Sequence, residues 1–226
     1  CSSCRAQGNT TTDASPAVIN LLNRLVLEFP NHHFYTTGYR TTKKAPSINL
    51  LPHTGVLLST IDLSKAPKLQ QEEPSVGEFT RSVKDWNQRA ARVYLWDYIS
   101  NFDDYLTPFP VLLRVQAQLQ YFKSLGVDGL FLNGSGYDYT PFEDVKTYVL
   151  SAIMIDPTLS VSDLISAYFN RFYPVSGTLL STYYLGLEQS TYSDNINIGL
   201  YTSFGESMHS YLDTADFLAF HEELRN

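Results

Sequence analysis

Strand-like runs and helix signals alternate along this chain, and that alternation limits its fold more than any single residue does. Residues 33–39 are β-branched and aromatic between turn residues, and residues 56–61 are apolar on both faces. Residues 92–98 and 127–132 complete a set of four strands. A run that is apolar on both faces suits a strand buried in a parallel sheet. The helices are equally marked. Ser15-Pro16 opens one, with Val18, Leu21, Leu22, Leu25 and Val26 at helical spacing until Pro30. Ser75 with Glu78 forms a capping box for a helix to about Ala90, and Pro110 opens another that Gly126 ends. Thr140-Pro141 with Glu143 starts a helix to Met154, and Ser160 with Asp163 starts one to Tyr173. Weaker amphipathic segments follow Gly177. Strand–helix alternation at this spacing implies parallel crossovers. The expected fold is α/β, with four parallel strands followed by helices: half of an eight-stranded barrel, or a small open sheet.

Composition removes several function classes. The 226 residues carry 23 acids against 16 bases, a net charge of −7. A phosphate-binding surface needs a cationic stripe, and the nearest cluster is Lys43-Lys44, so nucleic acid is not an expected partner. No apolar run reaches the roughly 20 residues of a membrane-spanning helix. No glycine-rich loop follows a strand, which excludes dinucleotide and P-loop cofactors, and no cofactor is expected. The five histidines share no metal-ligand spacing, and His32 and His33, adjacent on a strand, point to opposite faces. Cys1 and Cys4 are the only cysteines. A lone C-x-x-C lacks the second pair of a structural zinc site. With no helix expected to begin at Cys1, the first reading is a structural pair, disulfide or free, on a loop, with metal and redox roles as the alternatives.

In parallel α/β folds the groups at the C-terminal ends of strands form the site. That rule selects Tyr39 and Arg40 at the end of the first strand and Asp62 after the second. It selects Trp96, Asp97 and Tyr98 at the third, and Asn133, Tyr137 and Asp138 at and after the fourth. A carboxylate between two aromatic residues suits a sugar, with rings for the apolar pyranose faces and an acid for hydroxyls. Aromatic residues make up 14% of the chain, with tyrosine in excess, which agrees with a carbohydrate surface or with a helix-rich core edged by tyrosine. Glycoside hydrolysis needs two carboxyl groups across the bond. Asp97 is the expected first, and no Glu falls at a strand end to supply the second.

Residues 92–110, which read RVYLWDYISNFDDYLTPFP, resemble a signature of the bacterial DUF4838 family. Residues 122–131, 147–150 and 156–173 are similar to that family's next signature, in the same order, and the opening C-x-x-C, Phe29-Pro30 and residues 37–39 are similar as well. The resemblance covers about residues 1–175. It implies a glycoside hydrolase-like (β/α)8 barrel of the TIM type, related to α-glucuronidase and hexosaminidase barrels and common in Bacteroidetes. Residues 1–155 would be the C-terminal half of the barrel, and residues 156–226 a helical extension. It further implies a secreted or periplasmic protein, lipoprotein-anchored in full-length form. Its partners would be carbohydrate and an upstream barrel half or a second copy of the chain. Leu132-Asn133 stands where the family has an acidic residue. The competing expectation is a non-catalytic glycan-binding barrel.

Overall fold

The computed structural model describes residues 1–134 and 140–225. They divide into two compact units. The first comprises residues 1–64, 70–98 and 122–133, and the second residues 65–69, 99–121 and 134–226. The expected boundary after residue 155 coincides with the end of a helix inside the second unit.

The first unit holds α1 (Ser2–Ala6), α2 (Ser15–Glu28), β1 (Phe34–Gly38), β2 (Thr54–Ser59), α3 (Pro74–Asn87), β3 (Arg92–Tyr98) and β4 (Gly129–Asn133). The last turn of α4 (Leu112–Ser124) belongs to it as well. All four strands pair in parallel in the order β1-β2-β3-β4, an arrangement compatible with half of a (β/α)8 barrel. One face is apolar because α2 packs on β1 and β2 while α3 packs on β3. Ile19, Leu22 and Val26 of α2, Val76, Phe79 and Val83 of α3, and Val56, Leu58, Val93 and Leu95 of the strands are all buried. Each such side chain stabilises the fold by about 1.5–3 kcal/mol relative to exposure.

Two glycines make room on the opposite face. A Cβ on Gly55 would lie 2.6 Å from the Tyr35 ring and 2.7 Å from the Arg92 carbonyl oxygen. One on Gly129 would lie 2.9 Å from the Tyr94 ring. Tyr35 thus leans over Gly55 to meet Tyr94 at 5.4 Å between centroids.

Several helix starts differ from expectation. A short helix, α1, does begin directly after Cys1. Ser75 builds no capping box; α3 starts at Pro74, and Ser75 Oγ donates to Glu73 instead, at 2.7 Å. Phe142, in the left-handed region at φ 62°, rather than Thr140 precedes α5 (Glu143–Ile155). Ser160 caps α6 (Val161–Phe172) as expected, accepting from Asp163 N at 3.2 Å.

The second unit also contains α7 (Gly177–Ser193), α8 (Phe204–Met208), α9 (Thr214–Arg225) and the first turns of α4. Helices α5, α6 and α7 pack in succession. Within this unit Glu188 is fully buried, and its carboxylate accepts from Leu112 N at 3.0 Å and Leu113 N at 3.2 Å, closing the start of α4. Arg114, also buried, donates to the Lys65 and Ile196 carbonyls. Burial lowers the Arg114 guanidinium to about 10 against the pull of Glu188. Burial pushes the Glu188 carboxyl up, outweighing the two backbone bonds, Tyr184 and Arg114, which favour its charged form.

Two outcomes are expected. Gly55→Ala should lower unfolding stability by about 1–3 kcal/mol in urea titrations, because ring and backbone both obstruct the methyl. Glu188→Ala should cost about 3 kcal/mol or more, since it strands two N–H groups and a buried guanidinium. A raised carboxyl pKa contributes stability below the unfolded-state value and loses it as pH climbs through the folded-state value. Melting curves from acid to neutral pH should therefore show a decline in the wild type that Glu188→Gln lacks.

Candidate functional site

Alternation along β3 sorts the candidate residues onto two faces. Val93, Leu95 and Asp97 face α3, whereas Tyr94, Trp96 and Tyr98 face the other way. Register carries the second set across the sheet, because Trp96 lies opposite Ser59 and Phe131, and Tyr98 opposite Asn133. The result is an aromatic face. Trp96 stacks on Tyr98 at 5.8 Å and 20°, and meets Phe131 at 6.1 Å and Tyr39 at 6.5 Å. Tyr98 is pinned by its hydroxyl, 2.9 Å from Ser59 Oγ. Phe131 and Tyr35 remain 51% and 43% exposed. The Trp96 indole N–H is buried and has no hydrogen-bond partner among the described residues.

The structure thus brings Tyr39, Trp96, Tyr98 and Asn133 together. It separates Asp97 from them. That carboxylate is 1% exposed, on the helix-covered side, and accepts a hydrogen bond from Oγ1 of Thr60, the residue that follows β2. The expectation that Asp97 lies between two aromatic rings fails because adjacent strand residues point to opposite faces. Asp62 is exposed and paired to Lys43 Nζ at 2.6 Å, beside a crevice of about 20 Å³ shared with Glu78. Tyr137 and Asp138 lie outside the described residues. No described carboxylate stands on the aromatic face of the strands.

Strand-end selection missed Phe131, Tyr94 and Tyr35. Their signal was the period-two recurrence of rings at positions 94, 96 and 98, which continues across the sheet. It also missed a cleft of about 770 Å³ in the second unit, lined by Phe142, Glu143, Asp144, Tyr168, Phe169 and Tyr173 among others. Glu143 there is committed to Lys146 at 3.1 Å, and burial, with Asp144 next, raises the Tyr168 phenol. At the other end of the sheet His32 and His33 precede β1 rather than lie on it; His33 meets His53 at 4.7 Å while His32 packs on Phe29 and Phe34, so the two diverge. Among the described residues no group of three or more His, Cys, Asp or Glu is placed to hold a metal. No described helix is long and apolar enough to cross a membrane.

Chemically, the aromatic face offers flat apolar rings with an amide and phenols at its upper edge. Asp97 ties β3 to β2. Thr60→Val should therefore lower stability by about 1–3 kcal/mol in urea titrations, because it withdraws a donor from a buried carboxylate. Asp97→Asn added to Thr60→Val should recover part of that loss.

No curated protein and no solved structure matches the chain. The model of a domain of unknown function, DUF4838, matches residues 1–185, more than half of its length. With its parallel sheet and following helices, the chain belongs to the DUF4838 family.

Proposed function

We propose that the chain supplies the sugar-binding wall of a glycoside hydrolase-like (β/α)8 protein acting on the glycosidic bonds of a complex glycan. The observation that carries this reading is the ring cluster of Tyr39, Trp96, Tyr98 and Phe131, left partly open on one face of a parallel sheet. Flat rings match the C–H faces of a pyranose, and the Asn133 amide and Tyr39 hydroxyl at the strand ends match its hydroxyls.

Hydrolysis needs two carboxyl groups, about 5 Å apart for retention and 6.5–9.5 Å for inversion. On this reading they come from strands that extend the sheet. Strands β1 and β4 are its two edges, and unpaired edges recruit further strands. An upstream barrel half, or a second copy of the chain, would close the barrel and bring the acids. Asp97, tied to Thr60, would order the strand ends. On this reading the protein would work outside the cell or in the periplasm.

A second reading, glycan binding without hydrolysis, is favoured by one specific observation: Asp97 is buried on the side opposite the rings.

Calorimetry and product analysis over a panel of glycans, on the complete protein, separate the two. Trp96→Ala should weaken glycan binding at least about tenfold, as expected of an aromatic anchor. Asp97→Asn should leave both binding and turnover near wild type. A fall in turnover of about two decades would return Asp97 to the reacting centre as an acid or base. Binding without product over long incubation supports the second reading, and no binding to any glycan overturns both.

A further inference from the structure

We propose that Cys1 and Cys4 form a reversible dithiol–disulfide couple that exchanges with accessible small-molecule disulfides. The two sulfurs stand 3.4 Å apart, both are free, and one is exposed while the other is half-buried. A modest rotation of the two side chains is all that separates this arrangement from a bond.

The surrounding structure gives the bond something to do. Helix α1 has five residues and none of them is buried, so no apolar packing holds it. Its described tethers are polar: Asn20 Nδ2 donates to Gln7 Oε1 at 3.2 Å, and Ala17 N donates to Asn9 Oδ1 at 2.9 Å at the start of α2. A covalent link across the first turn would order the segment that presents Asn9 to α2. The link closes only a short loop, so its entropic stabilisation is small. It is also open to attack, and accessible disulfides are the reducible ones. Those two properties make it a reversible couple rather than a permanent brace.

Exposure assigns the roles. The Cys1 thiolate attacks one sulfur of an external disulfide RS–SR. The Cys1–SR bond forms as the S–S bond breaks, and RS⁻ leaves and takes up a proton. The Cys4 thiolate then attacks Cys1 Sγ, forming the Cys1–Cys4 bond and expelling the second RS⁻. The protein loses two protons and two electrons, and the external disulfide leaves as two thiols. Two thiols reverse the sequence.

The test uses the full chain in glutathione buffers of graded oxidised-to-reduced ratio, with acid quench, alkylation and intact-mass readout. The wild type should pass from dithiol to internal disulfide with only traces of glutathione adduct. Cys4→Ser should trap one glutathione on Cys1. Cys1→Ser should react more slowly, by roughly tenfold, because only the half-buried sulfur remains. Ring closure should be at least about fivefold more favourable in native buffer than in concentrated urea, since the fold holds the sulfurs together. Equal closure constants in the two conditions would overturn the proposal. So would a wild type that collects two glutathione adducts, or stays reduced where the unfolded chain is oxidised.

Discussion

Period-two alternation in a parallel sheet is the constraint on which the first unit depends. Once α2 and α3 cover one face, every strand residue is assigned to the packed side or to the other, with no intermediate position. A slip of one residue in β3 would exchange Asp97 with Trp96 and put an indole among Val56, Leu58 and Val83. The hydrogen bonds of Thr60 to Asp97 and of Ser59 with Tyr98 fix the register from both faces at the same end of the strands. Ser59 ends β2 and Thr60 follows it, and the two answer Tyr98 and Asp97, adjacent residues of β3, so a one-residue slip breaks both bonds.

The aromatic face follows from what sits between the rings as much as from the rings themselves. Large side chains at positions 35, 57, 94 and 131 could not all lie flat if every neighbour carried a Cβ. Gly55 and Gly129 remove two of those Cβ atoms, and Tyr35 and Tyr94 occupy the space. A glycine inside a strand weakens pairing and adds conformational freedom to the unfolded chain. Here that cost is offset by ring contacts each worth roughly 0.5–1.5 kcal/mol beyond area burial. The exposure of Phe131 and Tyr35 then distinguishes this face from a finished core, because large rings held flat beside open sheet edges are poised to be covered.

Strands, helices and their order were legible because they rest on local signals. Residues 92–98 form β3 with the ends read from the sequence, and Ser160 caps α6 as its spacing requires. Helix starts were legible only where the nearest hydroxyl was free to cap. Ser75 matched the pattern but donates to Glu73, and Ser15 donates to the Lys44 carbonyl at 2.6 Å, a partner 29 residues away. The site was half legible. Strand-end logic picked out Tyr39, Trp96, Tyr98 and Asn133, which share the aromatic face, yet applied to each strand separately it grouped Asp97 with the residues beside it in sequence. Alternation contained the correction, and applying it would have added Phe131, Tyr94 and Tyr35.

The two units also differ in what the sequence can reveal about them. Sheet pairing and apolar periodicity hold the first, and both leave a trace along the chain. In the second, Glu188 on α7 closes the start of α4, 76 residues earlier, while Arg114 reaches carbonyls at positions 65 and 196. No spacing rule links those positions, and buried ions confer little net stability over apolar replacements. What they confer is selectivity among packings. An apolar contact tolerates sliding, whereas a carboxylate facing two N–H groups and a guanidinium donating to two carbonyls keep those bonds in one arrangement only. Helix α7, unlike α6, carries a weak amphipathic pattern, and the two bonds from the start of α4 to its buried Glu188 fix a register that periodicity leaves open there.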